Sequence, residues 1–185
     1  MDERRLLILL LAAVLALGGM SASGLAGETK VSRTQTLVGS PAARTKLHVD
    51  PTVTRRLRAT ARRWEVLTGR PHARSQARLD TRLALRFWRH RARLVLRLAA
   101  HPPHMSGWLC IHRYEGSWSD RDDPYWGGLQ MDRGFMHSYA PRLLLRLGLA
   151  NRWTPLEQMW VAERAHRSGR GYWPWASTAR ACGLL

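Results

Sequence analysis

Charge and tryptophan are segregated along this chain, and the segregation limits how it can fold. Residues 30–104 carry 18 basic and 3 acidic side chains, +15 of the formal net charge of +17. Residues 105–185 are nearer balance, with 10 basic and 7 acidic groups, yet they hold seven of the nine tryptophans. Tryptophan is a large apolar group to bury, so a core is expected after residue 104 and a solvated charge before it. A chain of 185 residues allows one domain with appendages or two small domains. The expected parts are an export signal or anchor over 1–26, a linker over 27–52, a basic helical region over 53–104 and a small domain over 105–185.

At the start, Arg4-Arg5 precede an apolar run from Leu6 to Leu17. Small residues follow at Ser21-Ala22-Ser23 and Gly24-Leu25-Ala26, the pattern of a secretory signal cut after Ser23 or Ala26. No charge occurs from Leu6 to Gly27, which is also long enough to span a bilayer if it is retained. The expectation is a secreted, wall-associated protein, with a membrane anchor over residues 6–27 as the second reading. No cysteine closely follows the apolar run, which argues against a lipid-modified anchor.

From Val53 to Leu98 the composition turns to Arg, Leu and Ala. Leu79, Leu83, Phe87, Leu94 and Leu98 keep helical spacing, and Arg74, Arg78, Arg82, Arg86, Arg93 and Arg97 form another stripe. Gly69-Arg70-Pro71 divides the region into two helical pieces. Two readings stand: a solvated basic helix that only links anchor to domain, or attachment of residues 53–98 to an anionic wall polymer or membrane surface. Nucleic acid is not an expected partner, because the charge lies outside the expected folded part and the leader exports it. His101-Pro102-Pro103-His104 ends the helices and marks the expected domain boundary.

The stretch from Trp108 to Asp132 carries the chemistry. Ser106 can cap a helix on which Trp108, Ile111, His112 and Glu115 share a face, ending before Gly116. A carboxyl group among Trp108, Tyr114 and Trp118 would be partly desolvated, which favours the protonated form that a general acid needs. Gly127 and Gly128 lack a Cβ and allow close approach of a ligand. Gln130 offers both a donor and an acceptor to sugar hydroxyl and acetamide groups.

The order Glu115, Trp118, Tyr125-Trp126-Gly127-Gly128-Leu129-Gln130, then Val161-Ala162-Glu163-Arg164 and Trp173-Pro174, resembles the transglycosylase-like domain of the resuscitation-promoting factors. The likeness covers residues 107–185. It implies a mainly α chain ending in a small lysozyme-like domain that cleaves peptidoglycan glycan strands, with no cofactor and no metal. Glu115 stands at the position of the family's catalytic acid. Trp118, Tyr125, Trp126, Gly127, Gly128 and Gln130 are the expected substrate-binding residues, with Trp118 and Trp126 on the sugar-binding face.

The chain departs from that family at several positions. Relatives place a cysteine directly before the glutamate, whereas Cys110 lies five positions before Glu115, a displacement of one helical turn. The second family cysteine closely follows Trp-Pro, whereas Cys182 lies eight residues after Pro174. Both have moved, which implies one re-routed disulfide, and two cysteines in an oxidising compartment usually pair. Phe135 stands where relatives carry threonine, and Ser168 where they carry glutamine.

The remaining residues suggest a compact helical domain. Asp132–Tyr139 forms a turn or two of helix before Pro141, and Leu143–Leu147 a short apolar piece closed by Gly148. Thr154-Pro155-Leu156-Glu157 is a capping box that starts a helix running to about Arg167. The aromatic tail from Tyr172 to Trp175 folds back over the core. Asp120, Asp122 and Asp123 fail the spacing of a calcium loop. A zinc set of His101, His104, Cys110 and His112 would lose Cys110 to a disulfide. Glu163 reads as a buried partner for an arginine before a second catalytic carboxylate. The expected activity is cleavage of the β-1,4 bond between N-acetylmuramic acid and N-acetylglucosamine, with Glu115 as acid. Lack of a second well-placed carboxylate favours a lytic transglycosylase course over hydrolysis, for which Asp120 or Asp132 could serve. The alternative is a non-catalytic wall-binding module.

Overall fold

The computed structural model describes residues 49–185, and the expectations for the leader and for most of the linker lie outside them. The described chain is mainly α-helical. Helix α1 spans Pro51–Thr68: Asp50 caps it by accepting from the Thr52 amide, Pro51 occupies the first turn, and Gly69 closes it in the left-handed region at φ 71°. Helix α2 spans Arg82–Ala99, capped by Thr81. Then come α3, Met105–Glu115, α4, Arg133–Tyr139, and α5, Arg142–Leu145. Helix α6, Pro155–Ala165, begins with the expected Thr154/Glu157 capping box, and α7 spans Ala176–Ala181. Among the described residues no helix is long and apolar enough to cross a membrane.

The boundary expected at His101–His104 meets a structure in which Thr45–Leu185 is one compact unit. Trp64 of α1 and Trp88 of α2 join the same apolar core as Trp108, Trp126, Trp153, Trp160 and Trp175. Polar contacts cross the same line. Trp160 Nε1 donates to the Ala99 carbonyl at 2.8 Å, Arg164 donates to the Val66 carbonyl, and Arg63 pairs with buried Glu157. Net charge hid this arrangement, since most of the arginines occupy the outer faces while alanines and two tryptophans face inward.

The apolar stripe of α2 also differs from the leucine series read from spacing. Its buried side chains are Ala84, Trp88, Ala92, Val95 and Ala99, whereas Leu83 is 70% and Leu94 39% exposed. Small residues at three of these positions let the helix axis approach the core closely, and the larger leucines stay outside. Glu65, fully buried, joins α1 to α2 and their connection: it accepts from Arg91 Nε at 2.5 Å and from the Ala73 amide at 3.2 Å, with His72 Nδ1 at 3.2 Å. A buried carboxylate is tolerated only with such partners.

Candidate active site

Helix α3 carries Glu115 as its last residue. Its apolar face, Gly107, Trp108 and Ile111, is buried and sets the register that brings Glu115 to the end. No side chain of α3 caps its start. Instead Glu163 of α6 accepts from the His104 backbone N–H at 2.8 Å, with His104 Nδ1 at 3.1 Å, and from Trp108 Nε1 at 2.8 Å. Glu163 is fully buried, and its partners are a histidine and a tryptophan instead of the arginine expected from sequence. Cys110 forms a disulfide with Cys182, holding the middle of α3 to the C-terminal segment.

Glu115 is half-buried, and Oε1 accepts from Thr178 Oγ1 at 2.8 Å. The aromatic side chains expected around it are committed to other partners or turned to solvent. Trp108 is buried and spent on Glu163, Tyr114 is 60% exposed, and Trp118 stacks on His112 at 3.9 Å between ring centres. Tyr114 lies roughly 100° around the helix from Glu115, off the face that Trp108 and Glu115 share.

The loop after Gly116 returns to the same place. A Cβ built on Gly116 would lie 3.2 Å from Asp120 Oδ2 and 3.6 Å from Gln130 Nε2. Gln130 Nε2 donates to Asp120 Oδ2 at 2.7 Å and to the Gly127 carbonyl at 3.1 Å. Both of its amide donors are thus engaged, so what Gln130 offers a ligand is its carbonyl oxygen. Its backbone sits at φ 47°, a strained value for a residue with a Cβ, retained because the surrounding bonds fix it. Asp132 is occupied otherwise: it caps α4 by accepting from the Phe135 amide at 2.6 Å.

The two loop glycines are required by packing. A Cβ on Gly128 would meet His112 Nδ1 and Trp118 Cε3 at 2.6 Å, and one on Gly127 would collide with Gln158. Trp126 is 5% exposed, with the Arg133 guanidinium over its ring at 4.8 Å, so it presents no free face to a sugar. Of the expected binding residues, Tyr125 and Gln130 line an open cleft of about 330 Å³ together with Asp132, Phe135 and Trp175. Trp118 is half-buried on His112, and its carbonyl accepts from Gln158 at 2.8 Å.

Two organising residues, Gln158 and Thr178, carry no signal read from the sequence, and Trp175 is read there only as part of a tail that folds over the core. Gln158, fully buried, accepts from the Gly128 amide at 2.9 Å and donates to the carbonyls of Trp118 and Ala150. Trp175 donates to the Leu129 carbonyl at 2.6 Å, fastening the aromatic tail to the glycine loop. Thr178 holds Glu115 from the following helix. The Trp173-Pro174-Trp175 segment was the available signal for the last two. Of the positions that depart from the family, Phe135 lines the cleft, whereas exposed Ser168 only bonds the Ala165 carbonyl.

Burial pushes the His112 imidazole below its ordinary pKa of 6.5, Arg113 adds to this, and the bond to the Gly128 carbonyl opposes it. His112 Nδ1 lies 3.1 Å from that carbonyl. No family model, curated protein or solved structure matches this chain.

Proposed function

We propose that the chain is a peptidoglycan-cleaving glycosidase of lysozyme-like fold, acting on the β-1,4 bond between N-acetylmuramic acid and N-acetylglucosamine. The observation that carries this reading is the state of Glu115: half-buried at a helix end, one residue before the Gly116 that approaches the Asp120–Gln130 pair, with only Oε1 engaged among the described residues. Thr178 occupies a lone pair of Oε1, which leaves Oε2 to hold the exchangeable proton. Glu115 protonates the glycosidic oxygen as the C1–O bond breaks and an oxocarbenium-like centre develops. The same carboxylate then takes the proton of the sugar's own 6-hydroxyl as that oxygen bonds to C1, giving an anhydro product. Hydrolysis would instead need Asp120 or Asp132 to orient water, and both are already engaged, Asp120 by Gln130 and the Asp122 amide and Asp132 by its helix cap.

Export to the wall, with the leader as signal or anchor, belongs to the same proposal. The second reading, a wall-binding module without catalysis, is favoured by one observation: the cleft lined by Tyr125, Gln130 and Trp175 does not include Glu115. Turbidity loss of a purified wall suspension separates the two. The catalytic reading expects lysis by the native chain, none by folded Glu115→Gln, and soluble products lighter than hydrolysis products by one water. Retained lysis in the variant removes Glu115 from the reaction. Wall binding without lysis by the native chain leaves the binding module.

A further inference from the structure

The exposed side of α2 is sorted into two parallel stripes. At 100° per residue, Arg82, Arg86, Arg93 and Arg97 fall within an arc of roughly 60°. Leu83 and Leu94 lie on the arc beside it, 70% and 39% exposed. None of these four arginines takes part in an ion pair or a hydrogen bond among the described residues, and no acidic residue occurs between Arg82 and Ala99. Arg91, by contrast, points inward to buried Glu65. The apolar needs of the fold are met by the opposite face, Ala84, Trp88, Ala92, Val95 and Ala99. The leucines therefore stand outside the core beside guanidinium groups that have no partner among the described residues.

We propose that this face of α2 docks flat on an anionic lipid surface, the arginines against headgroup phosphates and Leu83 and Leu94 in the boundary below them. The 18-residue helix presents about 27 Å of such surface. Charge complementarity selects an anionic partner, and the adjoining leucines select a bilayer over a soluble polyanion, which offers nothing for them to enter. The inference is independent of the chemistry at Glu115.

The test uses a chain beginning at Thr45, which keeps the whole compact unit with its core and disulfide and omits the apolar run of residues 6–17. Cosedimentation is measured with vesicles of phosphatidylglycerol and phosphatidylcholine in equal parts, and with phosphatidylcholine alone. Binding is expected only to the anionic vesicles, and raised salt should weaken it. Arg86→Gln with Arg93→Gln, and separately Leu83→Ser with Leu94→Ser, should each weaken it by about tenfold. Both pairs are exposed, so melting temperatures should be unchanged. Should the leucine pair lower the melting temperature, Leu83→Ser alone decides. Absent binding, equal binding to both vesicles, or a leucine variant that binds like the parent overturns the proposal; the last outcome, with arginine-dependent binding of inorganic polyphosphate, would make the face a polyanion site.

Discussion

Thr178 Oγ1 donates to Glu115 Oε1 at 2.8 Å, across 63 residues of chain. The bond makes the orientation of the helix-end carboxylate depend on α7, and through Cys182 and Trp175 on the whole C-terminal segment. Thr178→Val keeps the shape and removes the donor. One hydrogen bond of this kind is worth about 1 kcal/mol, so kcat for wall cleavage should fall about fivefold with KM unchanged. Thr178→Ser should restore most of it. A valine variant with native kcat would show that Glu115 needs no such support.

Gly128 is wedged where a Cβ would stand 2.6 Å from both His112 and Trp118. The stacked pair cannot retreat freely, because His112 is also tied to the Gly128 carbonyl. Gly128→Ala should lower stability by about 2 kcal/mol, read as an earlier midpoint in urea with the slope unchanged. Gly134, on the exposed first turn of α4, is the contrast: a Cβ there meets only the capping Asp132 Oδ1 at 3.3 Å, so alanine should cost less than at Gly128.

The legible parts of the fold were those written in local chemistry. Thr154, Pro155 and Glu157 announce the start of α6, and Gly69 and Gly116 the ends of α1 and α3, because capping needs only neighbours in sequence. The pairing of Cys110 with Cys182 was also legible, since there were two cysteines and one way to join them. What depends on distant packing was not. Leu83 and Leu94 fit a helical period but lost the buried face to alanines, which only the proximity of α1 favours. Gln158 looks like any polar helix residue until the glycine loop is folded against it. Trp126 sits beside glycines in sequence, as a ligand platform would, but Arg133 and the core claim both sides of its ring.

Reduction of the disulfide tests how much the C-terminal segment depends on it. The bridge spans 72 residues, for which chain-entropy reasoning gives about 4 kcal/mol. The melting temperature should drop markedly in reductant, and Cys110→Ser with Cys182→Ser should reproduce the drop. An unchanged melting temperature would mean that Trp175 and Thr178 hold the segment unaided.

Stability should also fall on mild acidification. His112 and His166 are both held below the ordinary histidine value of 6.5, chiefly by burial, and for His166 also by the neighbouring His104 ring against the opposing pull of Glu163. Just below pH 6.5 the unfolded chain therefore binds more protons at these positions than the folded one. Stability is complete above that pH and declines as pH falls through the window. The melting temperature, followed downward from neutrality, should show this decline, and His112→Asn should flatten part of it. A flat profile through the window would show that neither ring titrates differently on folding.

The basic helices should prove to be part of the folding unit. Glu157 is 2% exposed and pairs with Arg63 of α1, Trp160 Nε1 donates to the Ala99 carbonyl of α2, and Arg164 reaches the Val66 carbonyl. A chain of residues 105–185 would leave each of these groups without its partner and would uncover the face of α6 that α1 and α2 now shield. Losing one partner of a buried charge alone costs about 3 kcal/mol, a large fraction of what a domain of this size possesses. Residues 105–185 should therefore show little cooperative unfolding, whereas residues 45–185 should melt in a single transition. Adding back residues 45–104 as a separate chain should restore helical signal and a cooperative melt if the shared core is what matters. A shortened chain that melts as sharply as the longer one would return α1 and α2 to the role of an appended arm.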